Sequence, residues 1–198
     1  VRHASSYLLL EDCVFEGNYS AHNGGAGNII EAGTLDVSRC SFRNNGTDVV
    51  SGALAAHYAT MRVSDCLFSW NGSADVAGAV YYYQSAGFVR DCTFDRNAAS
   101  GSNAATVLIQ SSGAVTFERN IVSNTRVGVG FSALYCSPAH TCNLFWNNAG
   151  GSWGGEAAIG AGEVEADPLY CGESSGDYTI AYESPAVAAN NGCGVPMG

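Results

Sequence analysis

The sequence contains no lysine, and its basic residues are eight arginines against 18 acidic residues. The resulting net charge of −10 disfavours a surface that follows nucleic-acid phosphates. No apolar run approaches the roughly 20 residues of a membrane-spanning helix. The first residues, VRHASSYLLLEDC, lack the basic start and cleavage site of a signal peptide, and we expect a mature or excised segment. We therefore predict no nucleic-acid partner and no transmembrane segment.

Proline is scarce, with four residues, whereas glycine is abundant, with 25. Valine, isoleucine, tyrosine and phenylalanine occur in short runs separated by Asn-Gly or Ser-Gly pairs. This composition disfavours long helices and favours short strands joined by turns. The chain has 198 residues, 46% hydrophobic and 13% charged, which is enough for one folded domain with its own core. We expect an all-β protein.

A repeat of about 26 residues covers most of the chain. Its signature is Cys-x-Phe-x-x-Asn, and full copies begin at Cys13, Cys40, Cys66 and Cys92. Degenerate copies begin at Asn120 and Asn143, where asparagine replaces the cysteine. A unit this short cannot bury its apolar faces alone, so the copies must stack around one continuous core. The sequence therefore predicts a right-handed parallel β-helix, a solenoid in which each repeat forms one rung.

We interpret residues 1–198 as a single domain. Stacked rungs are expected over residues 1–150, and residues 151–198 are expected to form an irregular last rung and a disulfide-stapled cap, because the repeat fades there. Neighbouring strands of a sheet lie about 4.8 Å apart. Equivalent residues of successive rungs should therefore form ladders of like side chains along the solenoid axis.

The Phe-x-x-Asn motif, together with Gly-Ala motifs at Gly25, Gly52 and Gly78, resembles the repeat of polymorphic outer membrane proteins of bacterial surfaces. The tail from Asp167, DPLYCGESSGDYTIAYESPAV, resembles the closing segment of secreted β-helix proteins of the pectin-lyase-like superfamily. The resemblance implies a parallel β-helix that is extracellular or on the cell surface. It also raises the question of enzyme activity, because that superfamily includes polysaccharide lyases and glycosidases.

The chain does not match the catalytic patterns of those enzymes. A lyase needs a basic proton acceptor and acidic ligands for calcium, and a hydrolase needs two opposed carboxylates. The sequence has no lysine and no Gly-His-Gly or Arg-Ile-Lys motif, so we assign no catalytic residue. We predict a structural or adhesive protein whose partner is carbohydrate or another copy of itself, with end-to-end assembly into a filament as one form. A lyase or glycosidase is the alternative.

An aromatic surface is the candidate partner site. If the residue after each Gly-Ala pair points inward, the core receives Leu54, Ala56, Val80, Tyr82 and Leu108. The outward-pointing neighbours then form an apolar patch made of His57, Tyr81, Tyr83, Val107 and Ile109. Exposed patches of this kind mark partner surfaces, and aromatic rings stack on sugar faces. The alternative is that the tail or a loop covers the patch.

The eight cysteines fall into two groups. Those that share one position of the repeat are Cys13, Cys40, Cys66 and Cys92. We interpret these as a ladder of buried thiols, because parallel Cβ vectors do not suit a disulfide. For the others we predict the disulfides Cys136–Cys142 and Cys171–Cys193, as is usual in secreted proteins. A zinc site that uses His140 is the alternative for the first of these loops.

The C-terminal part of the chain is acidic. Arg126 is the last basic residue, and the seven acidic residues that follow it carry −7 of the net charge. If a cation binds here, we expect calcium at Glu163, Glu165 and Asp167, because calcium prefers carboxylate oxygens. No other cofactor is predicted. The alternative is solvated charge in a loop-rich cap.

Overall fold

A computed structural model describes residues 2–4 and 6–198 and confirms an all-β parallel solenoid of about six turns. This part of the chain contains no α-helix, and two single-turn 3₁₀ helices lie in the tail at Glu173–Ser175 and Ala188–Asn190. Each turn is a rung of about 26 residues. Strands of successive rungs pair in parallel and build four sheets along the axis, which we name A to D.

The four sheets consist of strands of two to seven residues. Sheet A contains Arg2–Ala4, Gly27–Ile30, Leu54–His57, Ala77–Tyr83, Ala105–Gln110, Val129–Leu134 and Trp153–Gly155. Sheet B contains Tyr7–Glu11, Thr34–Ser38, Thr60–Ser64, Ala86–Arg90, Ala114–Glu118 and Ala139–Thr141. Sheet C contains Val14–Glu16, Ser41–Arg43, Leu67–Ser69, Thr93–Asp95, Ile121–Ser123, Leu144–Trp146 and Val164–Glu165. Sheet D contains Tyr19–Ser20, Gly46–Thr47, Gly72–Ser73 and Ala98–Ala99.

Consecutive sheets meet at corners where the backbone turns sharply. Along the A–B, B–C and C–D corners, each rung places a residue at positive φ, for example Tyr58 (54°), Asp65 (54°) and Trp70 (60°). This left-handed conformation costs a residue other than glycine about 1 to 2 kcal/mol. The turns recur at the same position of every rung, and they keep the strands in register along the axis.

The core consists of ladders of like side chains inside the solenoid. The rings of Phe15, Phe42, Phe68 and Phe94 stack with centroids 4.8 to 4.9 Å apart. At the C–D corner, the buried Asn71 amide Oδ1 accepts the backbone N–H of Asn45 at 3.0 Å, and its Nδ2 donates to the Phe42 carbonyl at 2.9 Å. The asparagine ladder thus satisfies backbone groups that the sharp turn leaves without strand partners.

The four repeat cysteines are free thiols that stack at the B–C corner. Cys40, Cys66 and Cys92 are buried, and Cys13 is half-buried. The backbone N–H of Cys40 lies 3.4 Å from the Sγ of Cys66, so the sulfur occupies the acceptor position that an asparagine oxygen takes in later rungs. Burial raises the pKa of Cys40 to about 11. The Cys40 thiol therefore stays protonated at neutral pH.

The predicted disulfides Cys136–Cys142 and Cys171–Cys193 are both wrong. One disulfide joins Cys142 to Cys193, with a Cα–Cα distance of 6.0 Å, and Cys136 and Cys171 are free. The strand Ala139–Thr141 separates Cys136, at the A–B corner, from Cys142, at the B–C corner. Sheet B thus holds these two residues apart, and the tail brings Cys193 to Cys142.

The tail folds back along the outer face of sheet C. Its antiparallel hairpin pairs Tyr170–Gly172 with Asp177–Ile180. Beyond the hairpin, Ala186 and Met197 bury the outward-facing side chains of Ile121 and Leu144 in a separate apolar cluster. The C-terminal segment therefore covers the side of the last rungs.

Candidate functional site

The predicted patch residues do not all lie on one face. His57, Tyr81 and Tyr83 lie on the outer face of sheet A, and Tyr82 is fully buried in the core, where its hydroxyl donates to the Met61 carbonyl at 2.9 Å. The placement of Val107 and Ile109 on the surface is wrong. Both are fully buried in the core, whereas Leu108 belongs to the outer face of the sheet.

The spacing between paired residues of neighbouring rungs explains this error. Ala77 pairs with Ala105, 28 residues further on, and after an irregularity Val80 pairs with Val107 and Tyr82 with Ile109. The spacing is therefore 27 residues here, one more than in the preceding rung. A slip of one residue moves every side chain of a strand to the opposite face.

The outer face of sheet A is also more closed than an exposed patch. Tyr81 is 6% exposed and packs in a cluster with Ala55 and Leu108. Its hydroxyl donates to Oε1 of Gln110 at 2.7 Å, and burial raises the pKa of Tyr81 to about 12. The half-exposed Tyr83 forms the accessible edge of this cluster.

The A–B corner beside Tyr83 presents a column that the sequence analysis missed. The column contains one residue from each of five rungs, all at φ between 46° and 57°: Glu31, Tyr58, Gln84, Ser111 and Tyr135. Backbone hydrogen bonds fix its register, since the N–H groups of Tyr58, Gln84 and Ser111 each donate to a carbonyl of the following rung. The sequence signal was the residue directly after each sheet A strand, which the repeat signature does not include.

A shallow groove runs along this column, and we name it the corner groove. Its lining consists of Ala32, Tyr58, Ala59, Thr60, Gln84, Ser85, Ala86, Ser111, Ser112, Gly113 and Ala114. A serine ladder holds its floor: Ser85 Oγ accepts the N–H of Ala59 at 3.2 Å, and Ser112 Oγ accepts the N–H of Ser85 at 2.9 Å. The groove is therefore lined mostly by small, uncharged side chains, and hydrogen bonds hold its backbone in place.

Two tyrosines of the column project into solvent. Tyr58 is 55% exposed and Tyr135 is 77% exposed. They lie three rungs apart, which corresponds to about 14 Å along the axis. The Tyr58 ring meets the Tyr83 ring edge-on at 5.4 Å and 90°. The corner groove and the accessible edge of the sheet A cluster are therefore one continuous surface.

His57 lies under this surface. Its ring contacts those of Tyr81 at 5.4 Å and Tyr83 at 6.1 Å, and its Nε2 is buried without a hydrogen-bond partner. Burial lowers the pKa of His57. The imidazole is thus held neutral as part of the support for the tyrosines.

The predicted calcium residues do not form a common site. Glu165 bonds to the Ser152 hydroxyl, and Asp167 Oδ1 accepts the N–H of Leu169 at 2.9 Å. Glu163 is buried, and its carboxylate accepts four hydrogen bonds from neighbouring groups of the protein. Over residues 6–198, no group of three or more His, Cys, Asp or Glu side chains is arranged to hold a metal ion.

Glu163 ends the ladder that begins with the repeat cysteines. Its carboxylate accepts hydrogen bonds from His140 Nδ1 (3.0 Å), Asn143 Nδ2 (2.7 Å), Trp153 Nε1 (2.9 Å) and the Gly160 N–H (2.7 Å). Burial alone would raise the pKa of Glu163, but the hydrogen bonds from His140, Asn143 and Gly160 outweigh it and lower that pKa. His140, the candidate zinc ligand, thus has a structural partner.

A charged cluster at the C–D corner fastens the tail. Arg96 bonds to the buried Asp95 at 2.6 Å and to Glu173 of the tail at 2.7 Å. Tyr178, also in the tail, donates to Asp95 at 3.0 Å. Trp70 stacks beside Arg96, 5.5 Å from its guanidinium carbon. These groups satisfy one another, so we interpret the cluster as an anchor.

The geometry defines a parallel β-solenoid with a shallow, uncharged groove along one corner, in which Tyr58 is the aromatic residue of the lining. The family model of the right-handed β-helix region matches residues 2–160. The chain belongs to this family. No curated protein and no solved structure shows significant similarity to it. In the part of the chain that the structure describes, no helix is long and apolar enough to span a membrane.

Proposed function

We propose that this protein binds carbohydrate in the corner groove, as an adhesive or structural protein. The observation that carries the proposal is the presence of exposed tyrosines, Tyr58 and Tyr135, at left-handed corner positions. A bulky residue at positive φ is strained, and an exposed ring recovers little of that cost by burial. The fold requires a positive φ at this corner of every rung, but it does not require a tyrosine, so the two exposed rings are available for binding. Exposed aromatic rings are suited to stacking on sugar faces.

The groups between the two rings suit the same ligand. Gln84 and Ser111 lie in the column between Tyr58 and Tyr135. Their amide and hydroxyl groups both donate and accept hydrogen bonds, as sugar hydroxyls do. The groove lining contains no Asp, Glu, His or Arg. It therefore offers binding without an acid–base pair, which favours adhesion over the alternative of a lyase or glycosidase.

An extracellular or cell-surface location is part of the proposal. The disulfide Cys142–Cys193 supports it, because disulfides persist in oxidising compartments and are rare in the cytosol. The disulfide also ties the tail to the solenoid. Such a location would place the corner groove where glycans of a matrix or a cell wall are available.

Glycan-array screening of the wild type, followed by calorimetry on the glycans that bind, tests the proposal. Tyr58→Asn and Tyr135→Asn keep a residue that tolerates the left-handed turn, and each should weaken binding about tenfold through loss of one stacked ring. Tyr182→Ala is the matched control, since Tyr182 is 79% exposed on the tail. Absence of glycan binding, or equal affinity in all variants, would overturn the proposal. Reducing-end assays with and without calcium address the enzyme alternative.

End-to-end association is a second candidate function. Leu8, Leu10 and Phe15 pack against the core but remain partly exposed. The strand Tyr7–Glu11 lies at an edge of sheet B. Edge strands present unpaired backbone groups to other chains. A head-to-tail contact there would repeat into a filament. Light scattering and electron microscopy test it, and a monodisperse monomer at high concentration would contradict it.

A further inference from the structure

A cleft lies between the tail hairpin and the last rungs of sheet C, and we name it the tail cleft. Its volume is about 530 Å³, which is within the range of small-ligand sites. Its lining includes Trp146, the amide residues Asn124 and Asn147, and the acidic residues Asp167 and Glu173. We propose that the tail cleft binds an amino sugar, whose protonated amine pairs with Asp167 and whose ring stacks on Trp146. This site lies at the C–D corner, not in the corner groove, and it does not depend on the function proposed above.

The register of sheet C places Asp167 beside the corner asparagines. The last strand, Val164–Glu165, pairs with the strand of the preceding rung, and the N–H of Ala166 continues the pairing by donating to the Phe145 carbonyl at 3.1 Å. Asp167 therefore takes, in the last rung, the place that Asn147 takes in the rung before it. Neighbouring rungs lie about 4.8 Å apart, so one bound ligand can reach both the Asp167 carboxylate and the Asn147 amide.

Hydrogen bonds hold the amides of the tail cleft in place. Asn124 Nδ2 donates to Asp95 at 2.8 Å and to Glu173 at 3.2 Å, so both of its N–H groups are used. Asn147 Nδ2 donates to Asn124 Oδ1 at 2.8 Å. Among the residues that the structure describes, none donates a hydrogen bond to Asn147 Oδ1. The cleft therefore offers this oxygen to a ligand that donates hydrogen bonds.

Asp167 carries a charge that the cleft leaves unpaired. One of its oxygens accepts a backbone N–H of the tail at 2.9 Å, and it forms no ion pair with any described residue. Glu173, by contrast, is paired with Arg96 at 2.7 Å. The tail cannot supply a cationic partner, because no arginine or lysine follows Arg126 in the sequence. A protonated primary amine has three donors and no acceptor, so it suits the free oxygens of Asp167 and Asn147.

Trp146 supplies an aromatic wall. The equivalent residues of the three preceding rungs, on the outer face of sheet C, are Ser69, Asp95 and Ser123. The fold therefore does not require an aromatic residue at this position, and Trp146 remains 39% exposed. An indole face stacks on sugar rings and attracts cations. An amino sugar offers both the ring and the cation, whereas a neutral sugar lacks the cation and an alkyl amine lacks the ring.

The experiment compares two oligosaccharides that differ in the charge on nitrogen. Calorimetry at a mildly acidic pH, where amines are protonated, would use the glucosamine trimer and the N-acetylglucosamine trimer. Spermidine serves as a ligand with the same number of amines and no sugar ring. At low ionic strength, the glucosamine trimer should bind at least about tenfold more tightly than either of the others, because it alone makes both contacts. Added salt should narrow its difference from the N-acetylated trimer. No binding of the glucosamine trimer, or equal affinity for either comparison ligand, would overturn the inference.

Two matched variants test the role of the Asp167 charge. Asp167→Asn keeps an oxygen for the Leu169 N–H and should weaken binding of the glucosamine trimer about tenfold, through loss of one charged hydrogen bond. Asp177→Asn is the control, because Asp177 is an exposed residue of the tail that likewise accepts a backbone N–H, from Thr179 at 3.0 Å. It should leave the affinity unchanged. Equal losses in the two variants would show that net charge alone attracts the amine, and would overturn the inference.

The position of the site is tested in the wild type. The indole N–H resonance of Trp146, assigned with Trp146→Phe, should shift during titration with the glucosamine trimer, more than the resonances of the other tryptophans. Tyr58→Asn should leave the affinity unchanged, because Tyr58 lines the corner groove. Loss of binding in Tyr58→Asn without loss in Asp167→Asn would overturn this inference and leave the proposed function intact.

Discussion

The disulfide Cys142–Cys193 gives a stability prediction whose size follows from the topology. The two cysteines are separated by 51 residues, and the double variant Cys142→Ser with Cys193→Ser opens that loop in the unfolded chain. The chain-entropy relation for a loop of this length gives about 14 cal/mol/K, or about 4 kcal/mol at 25 °C. We expect the free energy of unfolding to fall by about that amount.

The structure also indicates which part of the molecule responds first. In the double variant, the tail is held by noncovalent contacts alone, chiefly Met197 against Ile121 and Leu144, and the Glu173–Arg96 ion pair. Local opening of the tail should then require less free energy than unfolding of the solenoid. Amide hydrogen exchange should show protection lost in the tail before it is lost in the strands of sheets A to C.

The assay is equilibrium urea unfolding of the wild type and the double variant, with Cys171→Ser as control. Cys171 is a free and exposed thiol, so its replacement should change stability by about 0.5 kcal/mol or less. Peptide mapping under nonreducing conditions identifies the linked pair directly. Mapping that recovers Cys136–Cys142 or Cys171–Cys193, or a control as destabilised as the double variant, would refute the reasoning.

Three further predictions concern buried polar groups. Asn71→Ala should lower the free energy of unfolding, measured with urea, by about 2 to 6 kcal/mol. The reason is that the Asn45 N–H and the other buried groups bonded to the Asn71 side chain lose their partner. Glu163→Gln should cost about 2 to 5 kcal/mol in the same assay, since one amide oxygen cannot accept all four donors. Burial lowers the pKa of His57 from 6.5, so this histidine takes up a proton at higher pH in the unfolded chain than in the folded one. The free energy of unfolding, measured by urea unfolding, should therefore fall as the pH drops below 6.5. In His57→Gln it should fall less over that range.

The fold was predictable because the repeat places like residues at one position of every rung. The column Phe15, Phe42, Phe68 and Phe94 identifies the core, and its period of about 26 residues leaves stacking in a solenoid as the way to bury it. The repeat cysteines and asparagines similarly mark the B–C and C–D corners. These features depend on local periodicity, which a single sequence displays.

Other features depend on geometry that periodicity does not encode. The spacing from Val80 to Val107 is 27 residues, against 26 from Leu54 to Val80, and this one-residue difference reverses the faces assigned to Val107 and Ile109. The pairing of Cys142 with Cys193 follows from the path of a tail that lacks the repeat. The corner groove depends on residues just outside the repeat signature, whose chemistry varies from rung to rung. What a corner position needs for the fold is a positive φ, so its side chain is left open to function.

The last prediction concerns Tyr135, where the fold requires the backbone conformation but not the tyrosine side chain. This residue is 77% exposed at φ 57°, and its backbone N–H bond to Glu156 does not require a tyrosine. Tyr135→Asn should therefore raise the free energy of unfolding by up to about 1 kcal/mol, because asparagine adopts the left-handed turn at lower cost. Tyr58→Asn should gain less, since it also loses the edge-on contact with Tyr83, worth about 0.5 to 1.5 kcal/mol. Urea unfolding of both variants, together with calorimetry on a glycan that the wild type binds, should show affinity lost in each variant and the free energy of unfolding raised in Tyr135→Asn. If the free energy of unfolding of Tyr135→Asn instead falls by about 1 kcal/mol or more, the ring stabilises the fold. An exposed tyrosine at this corner position then no longer indicates a binding site.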